Sequence, residues 1–377
     1  MKGDRDKLHE RVFGGLAANL LCADSLYRPH QWRKGKGVRE PADLIWDRDT
    51  ATILFWLASQ SPRAMPRKAQ WQRTQKMIGH NLRQAKGAMR MWRQGYVLTG
   101  KHPVRSLFRP HQLCKHVVLI SVVDGALPVA IYHGDRVRSL QVSMCLTLPS
   151  AVVRKIASVG AGFADFLLIG RFLEMVGGTL GERDALALVD EYVERARISS
   201  GYQTAFGAVP FDPERCELFR LLTASRRGFP VYFDHKNNLG LITNPTAISE
   251  CIEVLSDLPL RDVMAICATY EQIRLQDQSA HLQGCAGVEG ELHDIIVLSA
   301  PNGQVSPKIM RGIDERIQGR AKSNPNGRPL IIVHDPVNGF ANMLCVALRE
   351  TSIADRVLSS ELAEMKKYLL VRPGSSL

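Results

Sequence analysis

The sequence predicts a mixed α/β (α+β) protein, and three features carry that expectation. Apolar runs of strand length recur, as in HVVLISVV (116–123), DIIVLSA (294–300) and LIIVHD (330–335). Continuous runs of this kind read as strands covered on both faces. Between them lie longer stretches whose apolar residues recur every three or four positions, the period of a helix with one buried face. The longest of these, Trp71 to Trp92, is also the most basic part of the chain.

Taken in order, residues 5–21 read as a first helix, with Leu8, Val12, Phe13, Leu16, Leu20 and Leu21 on one side and Glu10 near its start. Tyr27 and Trp32 fall on a strand before a basic turn. ADLIW (42–46) and TATILFWL (50–57) form two β-rich runs joined at Asp47-Arg48-Asp49. Pro62 and Pro66 break the strand, so the long helix starts near residue 67. With HVVLISVV the order becomes α-β-β-β-α-β. LPVAIYH (127–133) and SLQVSMCLTL (139–148) read as further strands. Residues 150–225 are mostly helical in pattern, through FADFLLIGRFLEMV, RDALALVDEYVERARI and ERCELFRLLTAS. FPVYFDHKNNLGLIT reads as a hairpin turning at Asn237-Asn238. From about residue 245, two helical runs (245–276), the DIIVLSA strand, a helix near 307–319, the LIIVHD strand and a terminal helix near 359–370 alternate. The expected organisation is a basic N-terminal domain (1–125), a β-then-helical middle (126–244) and a C-terminal α/β region (245–377).

Charge is unevenly spread. Residues 1–120 hold 23 of the 49 Lys/Arg but only 8 of the 37 Asp/Glu, a net of +15, whereas the rest of the chain nets −3. Such asymmetry points to a nucleic-acid or anionic-surface face on one domain. The eight cysteines form no CxxC pair and no zinc spacing. Cys145 and Cys345, set in apolar runs, read as small core residues. The most apolar stretch, around FADFLLIGRFLEMV, is interrupted by Asp165 and Arg171, so no membrane span and no membrane partner are expected. No signal-peptide pattern opens the chain, which makes a cytoplasmic location the expectation.

In the long helix, Arg73, Lys76, His80, Arg83, Lys86, Arg90 and Arg93 recur along one side. Trp71, Ile78, Leu82, Ala85, Met89, Trp92 and Tyr96 recur along the other. At 1.5 Å per residue the cationic stripe is roughly 30 Å long. No acid occurs between Asp49 and Asp124. A helix docked through its apolar side and showing that much unpaired charge suits phosphates, DNA or RNA. The bland alternative is a solvated basic face. Trp56, Trp71 and Trp92 read as core, although a tryptophan is also able to stack on bases.

The α-β-β-β-α-β order, with HERVFGGL, REPADLIW, ATILFW and the Trp-rich basic helix, resembles the PD-(D/E)XK nuclease superfamily over about the first 125 residues. More narrowly it is similar to a bacterial group of that superfamily. Their N-terminal domain carries a helical Glu, an Asp heading a strand, a second strand ending in a lysine motif, and a Trp/Arg-rich helix. The resemblance implies Glu10 as the helical acid and Asp43 as the metal-binding aspartate. The lysine motif is missing, because Trp56-Leu57-Ala58-Ser59 stands in its place. In this fold carboxylates hold Mg²⁺, which polarises the phosphate and activates water, while the lysine offsets charge in the transition state. A single carboxylate is a poor Mg²⁺ site. The expectation is therefore a nuclease-like fold that binds nucleic acid without cutting it, with no cofactor, in a bacterial defence or mobile-element system.

Two other readings stay open. One is a protein-interaction subunit whose basic helix meets an acidic partner and whose helical middle supplies an interface. The other is an active nuclease that uses Mg²⁺, with Lys68 as a relocated lysine. Elsewhere, Asp234-His235-Lys236 reads as a solvated turn. If the strands at 294–300 and 330–335 are parallel neighbours, Asn302, Gly303, His334 and Asp335 would lie at the ligand edge of an open sheet. There is no Walker A sequence and no GxGxxG.

Overall fold

Continuous apolar runs make strands only where both faces find cover, and the computed structural model shows where that cover comes from. The structure describes residues 26–34, 37–47, 51–59, 66–101, 106–114, 116–125, 127–159 and 162–199. It also describes helical residues 7, 10–12 and 14 and, beyond 199, shorter segments, chiefly 202–204, 207–209, 258–275, 294–299, 330–335 and 340–345. The protein is α/β, and its chain divides into two compact units, Met1–Val193 and Glu194–Leu377.

The first unit is built on a nine-stranded mixed sheet. Its strands are β1 (Leu26–Pro29), β4 (Leu44–Asp47), β5 (Ala51–Ser59), β6 (Leu98–Lys101), β7 (Ser106–Arg109), β8 (His116–Asp124), β9 (Val129–Tyr132), β10 (Met144–Leu148) and β11 (Thr179–Gly181). The two remaining strands, β2 (Trp32–Lys34) and β3 (Gly37–Arg39), form a separate hairpin. The spatial order is β11-β9-β10-β8-β5-β4-β1-β6-β7. At its centre β5 and β8 run parallel in nine-residue register, Ala51 against His116 through Ser59 against Asp124. On one side β1, β4 and β5 form an antiparallel meander. The connection from β5 to β8 is the long helix α1 (Arg67–Arg93), followed by the β6–β7 hairpin. Helical residues at 10–12, three meander strands, α1 and β8 thus give the expected α-β-β-β-α-β order, with the β2–β3 and β6–β7 hairpins inserted. Strands β9, β10 and β11 carry the same sheet on beyond residue 125.

The side chains of α1 explain its place. Ile78, Ala85, Ala88, Met89 and Trp92 are buried against the face of the sheet that carries Leu54, Trp56, Leu119 and Val123. Leu82 is only half-buried beside them. On the opposite face Trp46 meets Phe166 of helix α4 (Phe163–Met175) edge-on, centroids 6.2 Å apart. Five or more fully buried large side chains per face contribute about 1.5–3 kcal/mol each from apolar burial. Gly100 of β6 is fixed by close approach, since a Cβ there would stand 2.9 Å from the Arg28 carbonyl oxygen.

Some expectations need correction. The 139–148 run is not one strand. Residues up to Leu140 end the short helix α2 (Gly134–Leu140), which turns through Gln141 at φ 48° before β10 begins. The short strands β6, β7 and β11 were not expected. Helices α3 (Ser150–Ser158), α4 and α5 (Glu182–Ser199) fill the middle as the helical pattern predicts. No helix among the described residues is long and apolar enough to cross a membrane.

His133, at the start of α2, places Nε2 2.8 Å from Thr147 Oγ1 on β10. Burial, and then the nearby Arg136 charge, push its pKa down to about 4. The folded value lies below the unfolded one, near 6.5. The unfolded chain therefore takes up a proton that the folded one refuses, and stability is full above pH ~6.5 and falls towards pH 4. The loss should reach no more than about 3 kcal/mol. Denaturant unfolding of parent and His133→Gln at pH 7 and pH 4.5 measures it. The variant should lose about 2 kcal/mol less on acidification, and equal losses would refute the assignment.

In the second unit, β14 (Leu241–Ile242), β15 (Val288–Glu289), β16 (Asp294–Ser299), β17 (Leu330–Asp335) and β18 (Phe340–Cys345) form a five-stranded sheet in the order β14-β18-β17-β16-β15. β12 (Tyr202–Thr204) and β13 (Gly207–Val209) pair separately. Helix α6 (Leu260–Leu275) buries Val263, Ile266, Cys267 and Tyr270. Strands β16 and β17 are parallel neighbours, so Ser299 and His334 end at one edge. Asn302, Gly303, the 229–240 part of the hairpin segment, Asp234-His235-Lys236 and the helix near 359–370 lie outside the described residues.

Candidate nucleic-acid interface

A helix laid on a sheet must present its other side outward, and in α1 that side is cationic. Lys76, His80, Arg83, Lys86 and Arg90 are exposed and Arg73 is half-buried. None of the six makes an ion pair among the described residues. That follows from local composition, since no acid lies within the helix or for a dozen residues either side of it. Helix geometry places the six within an arc of about 140°. Arg67 and Lys68 extend the charge into the first turn, which contains no acid and no side-chain cap. Cations at a helix N-terminus oppose the macrodipole by about 0.3–1 kcal/mol each, so this end is arranged at some cost in stability.

Arg93 departs from the stripe. Its guanidinium donates to the Leu140 and Gln141 carbonyl oxygens, and Nε lies 3.4 Å from His111 Nε2. Burial, reinforced by the Arg93 charge, lowers the His111 pKa, so the imidazole accepts as a neutral ring. Arg93 ties the end of α1 to the loop before β10. Three-residue periodicity cannot distinguish such a tether from a surface cation. Trp71 also departs from its expected place. It lies on the sheet side of α1 yet is 36% exposed, while Trp56 and Trp92 are core at 3% and 1%.

The residues that the nuclease resemblance assigns to a cleavage site fall on the β4–β5 pair. Asp43 immediately precedes β4, and its amide donates to the Phe55 carbonyl oxygen at 2.8 Å, extending the ladder by one residue. Its Oδ2 accepts the Leu57 amide at 2.7 Å. Strand alternation puts Asp43 on the same face as Ile45, with Trp56 and Ala58 opposite. That ground is filled. Trp56 is buried there, its carbonyl oxygen accepts Asn81 Nδ2 at 3.2 Å, and the same amide reaches Ser121 Oγ at 2.9 Å. The Trp56 indole nitrogen is buried with no hydrogen-bond partner among the described residues.

The other two candidates do not join this carboxylate. Glu10 is helical and exposed, with no ion pair or hydrogen bond among the described residues. Its neighbour Arg11 instead reaches Asp124 Oδ2 at 2.9 Å, and Asp124 caps α3 through the Ser150 amide and hydroxyl. Lys68 is exposed and lies five helical turns before Lys86, on the same outward side of α1. No group of three or more His, Cys, Asp or Glu among the described residues is disposed to hold a metal ion. A divalent cation needs several oxygen ligands. One carboxylate already taken by a backbone amide, beside an indole and two apolar side chains, does not fit Mg²⁺.

Sequence reasoning missed two polar features. Asn81 was detectable as a lone amide at a buried helical position between Ile78 and Ala85. The Asp47–Arg109 pair, 2.8 Å apart and nearly buried, joins residues far apart in sequence and carried no local signal. Comparison of the chain with protein-family profiles, curated proteins and solved structures gives no match.

Proposed function

We propose that the first unit binds nucleic acid through the outward side of α1, and that it does so on a nuclease-like core that does not cleave. The observation that carries this reading is the run of six basic side chains, with no ion pair among the described residues, on one sheet-backed helix. Phosphate contacts of this kind position a protein on nucleic acid without reading sequence. The test is a salt titration of binding by the full-length chain, with Arg83→Gln/Arg90→Gln beside the parent. Salt-insensitive affinity would remove the reading.

The filled ground opposite Asp43 supports the second half. Without a metal the phosphate gains no Lewis-acid polarisation, and without an amine its developing charge is not offset. Each of those effects is worth several kcal/mol, and ~1.4 kcal/mol is tenfold in rate. Pure protein should leave single- and double-stranded DNA and RNA intact with Mg²⁺ or Mn²⁺, and Asp43→Asn should bind as the parent does. Metal-dependent nicking that Asp43→Asn abolishes would establish an active nuclease instead, with Lys68 the first lysine to test.

A second reading draws on one further observation. Leu168, Met175 and Val176, in and just after α4, expose apolar surface (39%, 79% and 50%), which suits a protein partner on the helical middle. Partner binding that ignores both salt and the Arg83/Arg90 changes would favour it.

A further inference from the structure

Four of the five tryptophans are buried, at 6% (Trp32), 0% (Trp46), 3% (Trp56) and 1% (Trp92). Trp71, at 36%, is the exception. Its place in the helix explains the difference. Thr74 is the first buried residue of α1, and its hydroxyl donates to the Leu127 carbonyl oxygen at 3.2 Å, in the loop that follows β8. Met77 lies against Gly125 in the same loop. The helix therefore crosses the C-terminal end of β8 at about residue 74, and the two turns before it run on past the sheet. Trp71 sits on the sheet-facing row of a stretch that has no strand beneath it among the described residues.

We infer that Trp71 is a stacking platform for a base of single-stranded nucleic acid, with Arg67 and Lys68 taking the flanking phosphates. This rests on the nucleic-acid reading of α1 and names its ligand class. Arg67 and Lys68, four and three residues earlier, are the nearest helical neighbours of the indole, and both are exposed. Gln72 and Gln75 are exposed beside it. The carboxylate at this end of the sheet, Asp124, is already paired with Arg11. Large aromatic surface next to exposed cations is the combination that binds single strands, because every base offers a π-face and every linkage a phosphate. A duplex keeps its base faces covered by stacking, so it is able to use the cations but not the indole.

The test measures binding of the full-length chain to 20-nucleotide oligo-dT and oligo-rU and to a mixed-sequence duplex of the same length. Trp71→Ala should weaken binding to at least one single strand roughly 5- to 100-fold and to duplex less than about twofold, with the salt slope unchanged. The tighter of the two single strands names DNA or RNA as the ligand. Trp71→Phe keeps an aromatic face, so it should retain affinity within about threefold while losing the tryptophan fluorescence quenching expected of the parent on binding. Both variants should remain folded at the assay temperature, which their circular dichroism checks, because Trp71 is 36% exposed whereas the core tryptophans are at 6% or less. Unchanged single-strand affinity in Trp71→Ala, or an equal loss on duplex, overturns the stacking contact alone. A parent that binds none of the three probes overturns the nucleic-acid reading with it.

Discussion

Raising salt from 50 to 200 mM should weaken nucleic-acid binding by the full-length chain by roughly a hundredfold or more. The size follows from counting. Arg73, Lys76, Arg83, Lys86 and Arg90 present five permanent charges along the outward side of α1. Each phosphate neutralised contributes about −0.9 to the log–log salt slope on duplex and about −0.7 on a single strand. Five contacts give slopes near −4.5 and −3.5, and a fourfold rise in salt then costs about 500-fold or about 130-fold in affinity. Arg83→Gln/Arg90→Gln should flatten the slope by roughly 1.8 or 1.4, with little dependence on sequence. Arg83 and Arg90 are seven residues apart, two turns along one exposed row, and neither makes an ion pair among the described residues. Glutamine matches arginine in helix propensity, so the fold should be unaffected and the effect confined to binding. An unchanged slope in the double variant would move the phosphate contacts off this helix.

How much of this was legible in the sequence depends on the range of the interaction concerned. The long helix was, within a residue at its C-terminus, because a 27-residue periodic pattern bounded by Pro66 and Gly95 leaves little freedom. The apolar runs that became β5, β8, β16 and β17 were equally plain, since strands buried on both faces carry no polar alternation to misread. Short edge strands were not. β6 contains Gly100 and β7 alternates around an exposed Phe108, so both owe their existence to pairing partners rather than to local propensity. At the candidate site, the absence of a lysine after β5 could be read directly. What replaced it could not: that Asp43 would hold the Leu57 amide, and that Trp56 and Asn81 would fill the opposing ground, depend on register and on the depth at which α1 sits. Trp71 failed for the same reason. Periodicity assigns a side chain to a row on the helix, but not to the part of that row that has a sheet beneath it.

The C-terminal end of α1 is where folding and the proposed function meet, and Trp92→Ala should show it. Trp92 is 1% exposed, donates its indole hydrogen to the Arg109 carbonyl oxygen at 3.0 Å and packs edge-on to His111 with centroids 5.0 Å apart. Arg109 in turn holds Asp47 of β4 through a nearly buried ion pair. The indole thus fastens the helix to the segment that leads into β8. Emptying such a site costs about 3–5 kcal/mol, out of a total stability typically of 5–15 kcal/mol. Trp92→Phe keeps most of the packing and loses the hydrogen bond, so its cost should be about 1–2 kcal/mol. Denaturant unfolding measures both, and a Trp92→Ala penalty below about 1.5 kcal/mol would mean that the helix end is anchored elsewhere. Arg90 lies in the same turn. At a denaturant concentration where the variant remains folded, fraying of that turn should release one phosphate contact and lower the salt slope by about one unit. A variant that loses stability but keeps the full slope would show that Arg90 does not contribute to binding.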